Sequence, residues 1–174
     1  MYYADIKKAD IANGEGIRES IFVSGCNHKC KNCFNQEAWD FNFGKEFTEK
    51  EIDKIVEELD SPYIAGLSIL GGEPLEHCNQ KGLLPLARKV KEKYPEKNIW
   101  CYTGFTFDKD VMGKMYKNFE ETPELLSYID VIVDGKFEEE KKDLSLKFRG
   151  SSNQRIIDVK KSLKDNEVIL YKNF

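Results

Sequence analysis

A chain of 174 residues suits one domain with a single core, expected here to span residues 1–174. The composition is that of a soluble globular protein, and the net charge of −4, with acids and bases interspersed, argues against a nucleic-acid partner, which would call for a basic face. No run approaches the roughly 18 apolar residues of a membrane span, and MYYADIKKAD lacks the apolar stretch of a secretory signal. The expected location is therefore cytoplasmic, where clustered cysteines bind metal or do chemistry rather than form disulfides.

In chain order, residues 20–25 (SIFVSG) read as a short strand feeding a cysteine loop. Thr48-Glu49-Lys50-Glu51 has the form of a capping box. Ile52, Ile55, Val56 and Leu59 follow at helical spacing, and Ser61-Pro62 closes that helix. Residues 66–70 (GLSIL) form the next strand and run into Gly71-Gly72-Glu73-Pro74. Leu83, Leu84, Ala87, Val90 and Tyr94 line a second helix, stopped by Pro95. Residues 98–102 (NIWCY) are a third strand ending in Thr103-Gly104, and a helix through Val111, Met112 and Met115 follows. Thr122-Pro123-Glu124 reads as a cap with proline at the first helical position. A fourth strand at 129–133 ends in Asp134-Gly135, the charged FEEEKKD is a solvated face, and 167–171 (EVILY) is a last strand.

Strand–helix alternation implies an α/β fold with a mainly parallel sheet. Ligands bind beyond the carboxyl ends of such strands, where the cysteine loop, GGEP, YTG and VDG would gather on one rim. A full eight-unit barrel needs about 250 residues. This chain has room for about five or six units, so a short, open partial (β/α) barrel is expected.

The chemistry concentrates in GCNHKCKNCFN, where Cys26, Cys30 and Cys33 are spaced C-x3-C-x2-C. A fully ligated 4Fe–4S cluster takes four thiolates, so three would leave one iron open. The competing reading is a structural zinc with His28, His77, Cys78 or Cys101 as fourth ligand. Zinc ribbons usually add a second C-x2-C pair, which is missing here. Cys101 sits in an apolar strand, where cysteine behaves as a small buried hydrophobe, and Cys78 reads as incidental. His28 could donate a hydrogen bond near a cluster or simply be exposed. GGEP alone is a tight turn in many proteins.

C-x3-C-x2-C after an early strand resembles the radical S-adenosylmethionine superfamily. The resemblance implies that Cys26, Cys30 and Cys33 hold a 4Fe–4S cluster whose open iron is chelated by the amino and carboxylate groups of S-adenosylmethionine. It makes Gly71, Gly72 and Glu73 the motif that receives the cofactor's amino group. Glycines permit close backbone approach, and a carboxylate accepts hydrogen bonds from the amino group. Many members carry an aromatic residue just before the third cysteine. Here that residue is Asn32, and Phe34 follows the cysteine instead; both are assigned to the adenine side.

NGEGIR, GCNHKCKNCFN, LGGEPL, YTGFTF, VDGKF and RGSSNQRIID together resemble the activases of anaerobic ribonucleoside-triphosphate reductase. That implies reductive cleavage of S-adenosylmethionine to methionine and a 5′-deoxyadenosyl radical, which installs a glycyl radical on the large reductase subunit. The chain holds no flavin fingerprint, so the electron comes from an external one-electron donor such as reduced flavodoxin. Alternatives are an activase of another glycyl radical enzyme such as pyruvate formate-lyase, an enzyme acting on a small molecule such as a deazapurine precursor, and a zinc-stabilised binding module. The sequence leaves open whether Arg149, Ser151, Ser152, Asn153 and Arg155 form a turn and surface charges, or serve cofactor or partner.

Overall fold

The computed structural model describes residues 1–172. Its first strand, β1 (Tyr2–Asp10), pairs antiparallel with β2 (Ile17–Val23) and with the short β3 (Lys45–Glu46). Helix α1 (Glu49–Glu58) leads to β4 (Ile64–Gly71), and α2 (His77–Lys93) to β5 (Asn98–Tyr102). A π-helical segment over Phe107–Met115 runs through α3 (Tyr116–Asn118) and α4 (Glu121–Tyr128) to β6 (Val131–Asp134). The chain then reaches β7 (Arg155–Asp158) and α5 (Val159–Asp165).

Among the described residues the seven strands make one sheet in the order β3-β1-β2-β4-β5-β6-β7. The four central strands, β2, β4, β5 and β6, run parallel, and both margins are antiparallel. The mixed α/β class and the parallel centre agree with the strand–helix alternation. Among the described residues no helix is long and apolar enough to cross a membrane.

Alternation along the strands divides the sheet into two faces. Ile21, Val23, Leu67, Ile69, Ile99, Cys101 and Ile132 pack into the main core with the helices. Trp100, Val131, Val133 and Ile156 form a smaller cluster on the opposite face. That face is partly polar. The buried Arg18 guanidinium gives its donors to Ser68 Oγ (2.6 Å), Asn98 Oδ1 (2.7 Å) and the carbonyls of Leu67, Glu15 and Asn98. Burial pushes its pKa down to about 10. Its bond to Glu15 fastens the segment before β2 across this face.

The capping box forms, with the Glu51 carboxylate accepting from the Thr48 N–H (2.9 Å) and hydroxyl (2.6 Å). Two local expectations change, and one run that carried no expectation gains a strand. Helix α4 starts at Glu121, and Thr122 is a buried hydroxyl donating to Gln80 Oε1 (2.7 Å) rather than a cap. The RIID run is a strand, β7. The expected last strand at 167–171 reduces to a single bridge, Ile157 to Leu170. It stops there because the Ser162 hydroxyl takes the Ile169 N–H (2.9 Å).

Candidate functional site

Strand β2 ends at Val23, and the chain turns through Gly25 into the cysteine loop. Backbone bonds fasten this turn to the end of β4. Gly72 N–H donates to Val23 O (2.7 Å), Glu73 N–H to Gly25 O (2.8 Å), and Gly25 N–H to Ala38 O (2.8 Å). The fit leaves no room for side chains. A Cβ at Gly72 would lie 2.7 Å from Gly25 O, and Gly71, at φ +111°, would place one 2.6 Å from Val23 N. These glycines let two strand ends touch, a reason for the motif that exists before any ligand arrives.

Cys26, Cys30, Cys33, Asn32, Phe34, Gly71, Gly72 and Glu73 all line one cavity of about 530 Å³. That volume is in the range of small-molecule and cofactor sites. Cys26 is buried, and Cys30 and Cys33 are partly exposed. Burial pushes the Cys26 thiol up to about 11, although the backbone N–H groups of His28 and Lys29 point at its sulfur and oppose the rise. Burial and the neighbouring Cys33 also raise Cys30, against an N–H donated by Phe137. Donors aimed at the sulfurs are what a metal-bound thiolate uses.

The three thiols share the cavity without converging on one point. Among the described residues no three His, Cys, Asp or Glu side chains are gathered as a single-ion site would gather them. Of the four candidate fourth zinc ligands, His28 lines the same cavity but is bonded to Glu73, and the other three lie elsewhere. Cys101 is fully buried in the main core, Cys78 is exposed on α2, and His77 stacks on Phe119 and binds Glu121 (2.9 Å). Among the described residues, two buried polar atoms on the cavity residues, Trp39 Nε1 and Tyr102 Oη, have no hydrogen-bond partner.

Asn32, at φ +56°, occupies the left-handed region that asparagine tolerates better than an aromatic residue. Phe34 is 88% exposed at the mouth. His28 is not a surface residue. Its side chain is 9% exposed, and Nε2 bonds Glu73 Oε2 at 2.8 Å.

The downstream motifs hold the far wall. Gln154 Oε1 accepts from the Gly150 and Ser151 N–H groups (2.9 and 3.1 Å), and its amide donates to Gly135 O (3.0 Å). Asn153 donates to Lys136 O (2.8 Å), and Arg149 to Gln154 O (2.9 Å). Arg155 pairs with the buried Asp134 and with Asp108, which raises its pKa. RGSSNQR is thus a hydrogen-bonded strap against VDGKF, whose Phe137 reaches Cys30. No local sequence signal marks these long-range partners.

The family model for a 4Fe-4S single cluster domain matches residues 12–157. The anaerobic ribonucleoside-triphosphate reductase-activating protein of Pasteurella multocida is 41% identical over 90% of this chain and 96% of its own. The chain belongs to the family of anaerobic ribonucleoside-triphosphate reductase-activating proteins. The members from Vibrio cholerae (40% identical, covering 90% of this chain and 97% of theirs) and Escherichia coli K12 (38%, 88% and 96%) are similar over the same extent. In this family member the stretch matched by the cluster model contains the three clustered cysteines, the GGEP turn and the strap.

Proposed function

We propose that residues 1–174 form one radical S-adenosylmethionine domain, a short, open partial barrel, that activates anaerobic ribonucleoside-triphosphate reductase in the cytoplasm. One observation carries the reading: Cys26, Cys30 and Cys33 line the same cavity as Gly71, Gly72 and Glu73. Family membership supports the partner, the large reductase subunit. No nucleic acid is proposed as a partner.

Cys26, Cys30 and Cys33 would hold a 4Fe–4S cluster with one iron left open. Gly71, Gly72 and Glu73 would receive S-adenosylmethionine, with Asn32 and Phe34 on the adenine side. When bound, the pair supplies one-electron cleavage of a carbon–sulfur bond and hydrogen-atom removal from a reductase glycine, with the electron coming from an external donor such as reduced flavodoxin.

The chain's own contribution is positioning. The His28, Lys29 and Phe137 N–H groups stabilise charge on the cysteine sulfurs. Leu70, Tyr102 and Phe148 supply apolar wall that excludes water from the inner part of the cavity. The polypeptide partner would enter at the side carrying the exposed Phe34 and Leu144.

The test is anaerobic reconstitution with iron and sulfide, then electron paramagnetic resonance with and without S-adenosylmethionine. A 4Fe–4S signal that changes on adding S-adenosylmethionine is expected, followed by a glycyl radical on the reductase. Stoichiometric zinc with no cluster signal would overturn the reading.

A further inference from the structure

The Glu73 carboxylate is already full. Oε1 accepts from the Leu75 N–H (2.8 Å) and the Thr103 hydroxyl (2.7 Å), and Oε2 from the Gly104 N–H (2.8 Å) and His28 Nε2 (2.8 Å). An ionised carboxylate offers about four acceptor sites, and this residue is fully buried. An amino group brings N–H donors, so it can bind Glu73 only by replacing one of the four.

Three of these donors are fixed. The Leu75 and Gly104 donors are backbone. The Thr103 hydroxyl is buried and also accepts from the Phe105 N–H (3.1 Å), while its own N–H is held by Val133 O (2.9 Å). His28 differs. It lies between the exposed Asn27 and Lys29 and lines the cavity. Its ring rests edge-on against Phe105 at 4.4 Å and close against Gly104, where a Cβ would come within 2.5 Å of it. Rotation of one side chain would free Oε2 toward the cavity without breaking a backbone bond.

We propose that His28 is a displaceable placeholder: it holds the position on Glu73 Oε2 that the cofactor's amino group takes, and leaves when the cofactor binds. The inference rests on the assignment of Gly71, Gly72 and Glu73 to S-adenosylmethionine made above. It gives the imidazole a physical purpose in the cofactor-free protein. A buried carboxylate with an open acceptor site is costly, and His28 satisfies it until a ligand with matching donors arrives. The exchange trades one bond for another, so the bound state carries the cost of ejecting the ring, and only a ligand bringing N–H donors recovers it. A nucleoside lacking the amino-acid portion has its only N–H donors on the base, brings no amino group to Glu73 and leaves His28 seated.

The experiment measures equilibrium binding to the anaerobically reconstituted protein, with iron per chain checked first. The ligands are S-adenosylhomocysteine and 5′-methylthioadenosine, which lacks the amino acid. His28→Ala removes the competitor and is expected to tighten S-adenosylhomocysteine by about three- to tenfold, with 5′-methylthioadenosine unchanged. His28→Gln keeps an N–H donor on a similar reach and is expected to bind both as the wild type does. Weaker or unchanged S-adenosylhomocysteine binding in His28→Ala would overturn the placeholder role. A crystal structure of the wild-type protein loaded with cluster and S-adenosylmethionine decides the matter even if the variants fold poorly. His28 Nε2 swung away from Glu73 is expected, and a retained contact would overturn the proposal. A wild-type cluster signal that ignores S-adenosylmethionine would instead remove the underlying assignment, and the two failures are thereby distinguished.

Discussion

Replacing Gly71 by alanine tests whether the glycine pair serves the sheet before it serves a ligand. At φ +111° an alanine pays backbone strain of about 1–3 kcal/mol. Its Cβ would also stand 2.6 Å from Val23 N and 2.7 Å from Phe22 C and Cα, atoms of a central strand that cannot move cheaply. Overpacking of that kind adds about 1–3 kcal/mol, for a total of roughly 4 kcal/mol. Gly135 is the internal control. Its φ is +97°, yet the nearest atom to an added Cβ is 3.8 Å away, so Gly135→Ala carries the strain alone. With a urea m-value of about 2 kcal/mol/M, the midpoint should fall by about 2 M for Gly71→Ala and about 1 M for Gly135→Ala. The assay is urea unfolding of the metal-free protein followed by circular dichroism. Equal shifts for the two variants, or a smaller one for Gly71→Ala, would refute the argument that the β4 end needs glycine to meet β2.

Three further outcomes follow from other contacts. Arg155→Leu leaves the buried Asp134 carboxylate with the Phe107 N–H (2.7 Å) as its remaining donor among the described residues; because Arg155 is partly exposed, the cost is about 2 kcal/mol, read as a lower urea midpoint. Burial would raise the Asp10 carboxyl, but bonds from Asn13, Ser20, Ala12 and Lys7 outweigh it and bring the pKa from 3.8 to about 2. A depressed carboxylate stabilises the fold above its unfolded pKa and loses that contribution as pH falls through the folded one. Asp10→Asn should therefore be about 2 kcal/mol less stable at pH 7 and converge on the wild type near pH 2 in acid titrations of stability. Alanine at Cys26, Cys30 or Cys33 should abolish the cluster absorbance after reconstitution, whereas Cys78→Ala and Cys101→Ala should retain iron. Cys101→Ala should also lose about 1 kcal/mol, because it leaves a small hole in the main core.

The site's parts were readable where an apolar run ends in a small motif. β2, β4, β5 and β6 each deliver such a motif to the same rim, so the strand pattern sufficed to gather them. β1 escaped because YYADIKKAD is rich in exposed charge and takes its pairing from β2, not from its own composition. EVILY has the composition of a strand, but one hydroxyl, Ser162, intercepts the pairing. The contact between His28 and Glu73 spans 45 residues and depends on a backbone close enough for the ring to lie on Gly104. Local pattern carries no trace of it. The strap formed by RGSSNQR was recognisable as a motif while its purpose was hidden, since each partner lies in another segment.

The sheet's margins have a bearing on how copies of this chain meet. An uncovered outer strand is an invitation to add a neighbour's strand. Here the two-residue β3 covers only Tyr2 and Tyr3 of β1, and the rest of β1 carries the exposed charges Asp5, Lys7 and Lys8 and two register shifts, a charged and irregular edge that makes a poor template for extension. At the opposite margin, Asp158 N–H goes to Ile169 O and Tyr171 N–H to Ile156 O, so the chain's own tail occupies the rail that β7 would present. Self-association by open-ended strand addition is thereby discouraged at both margins.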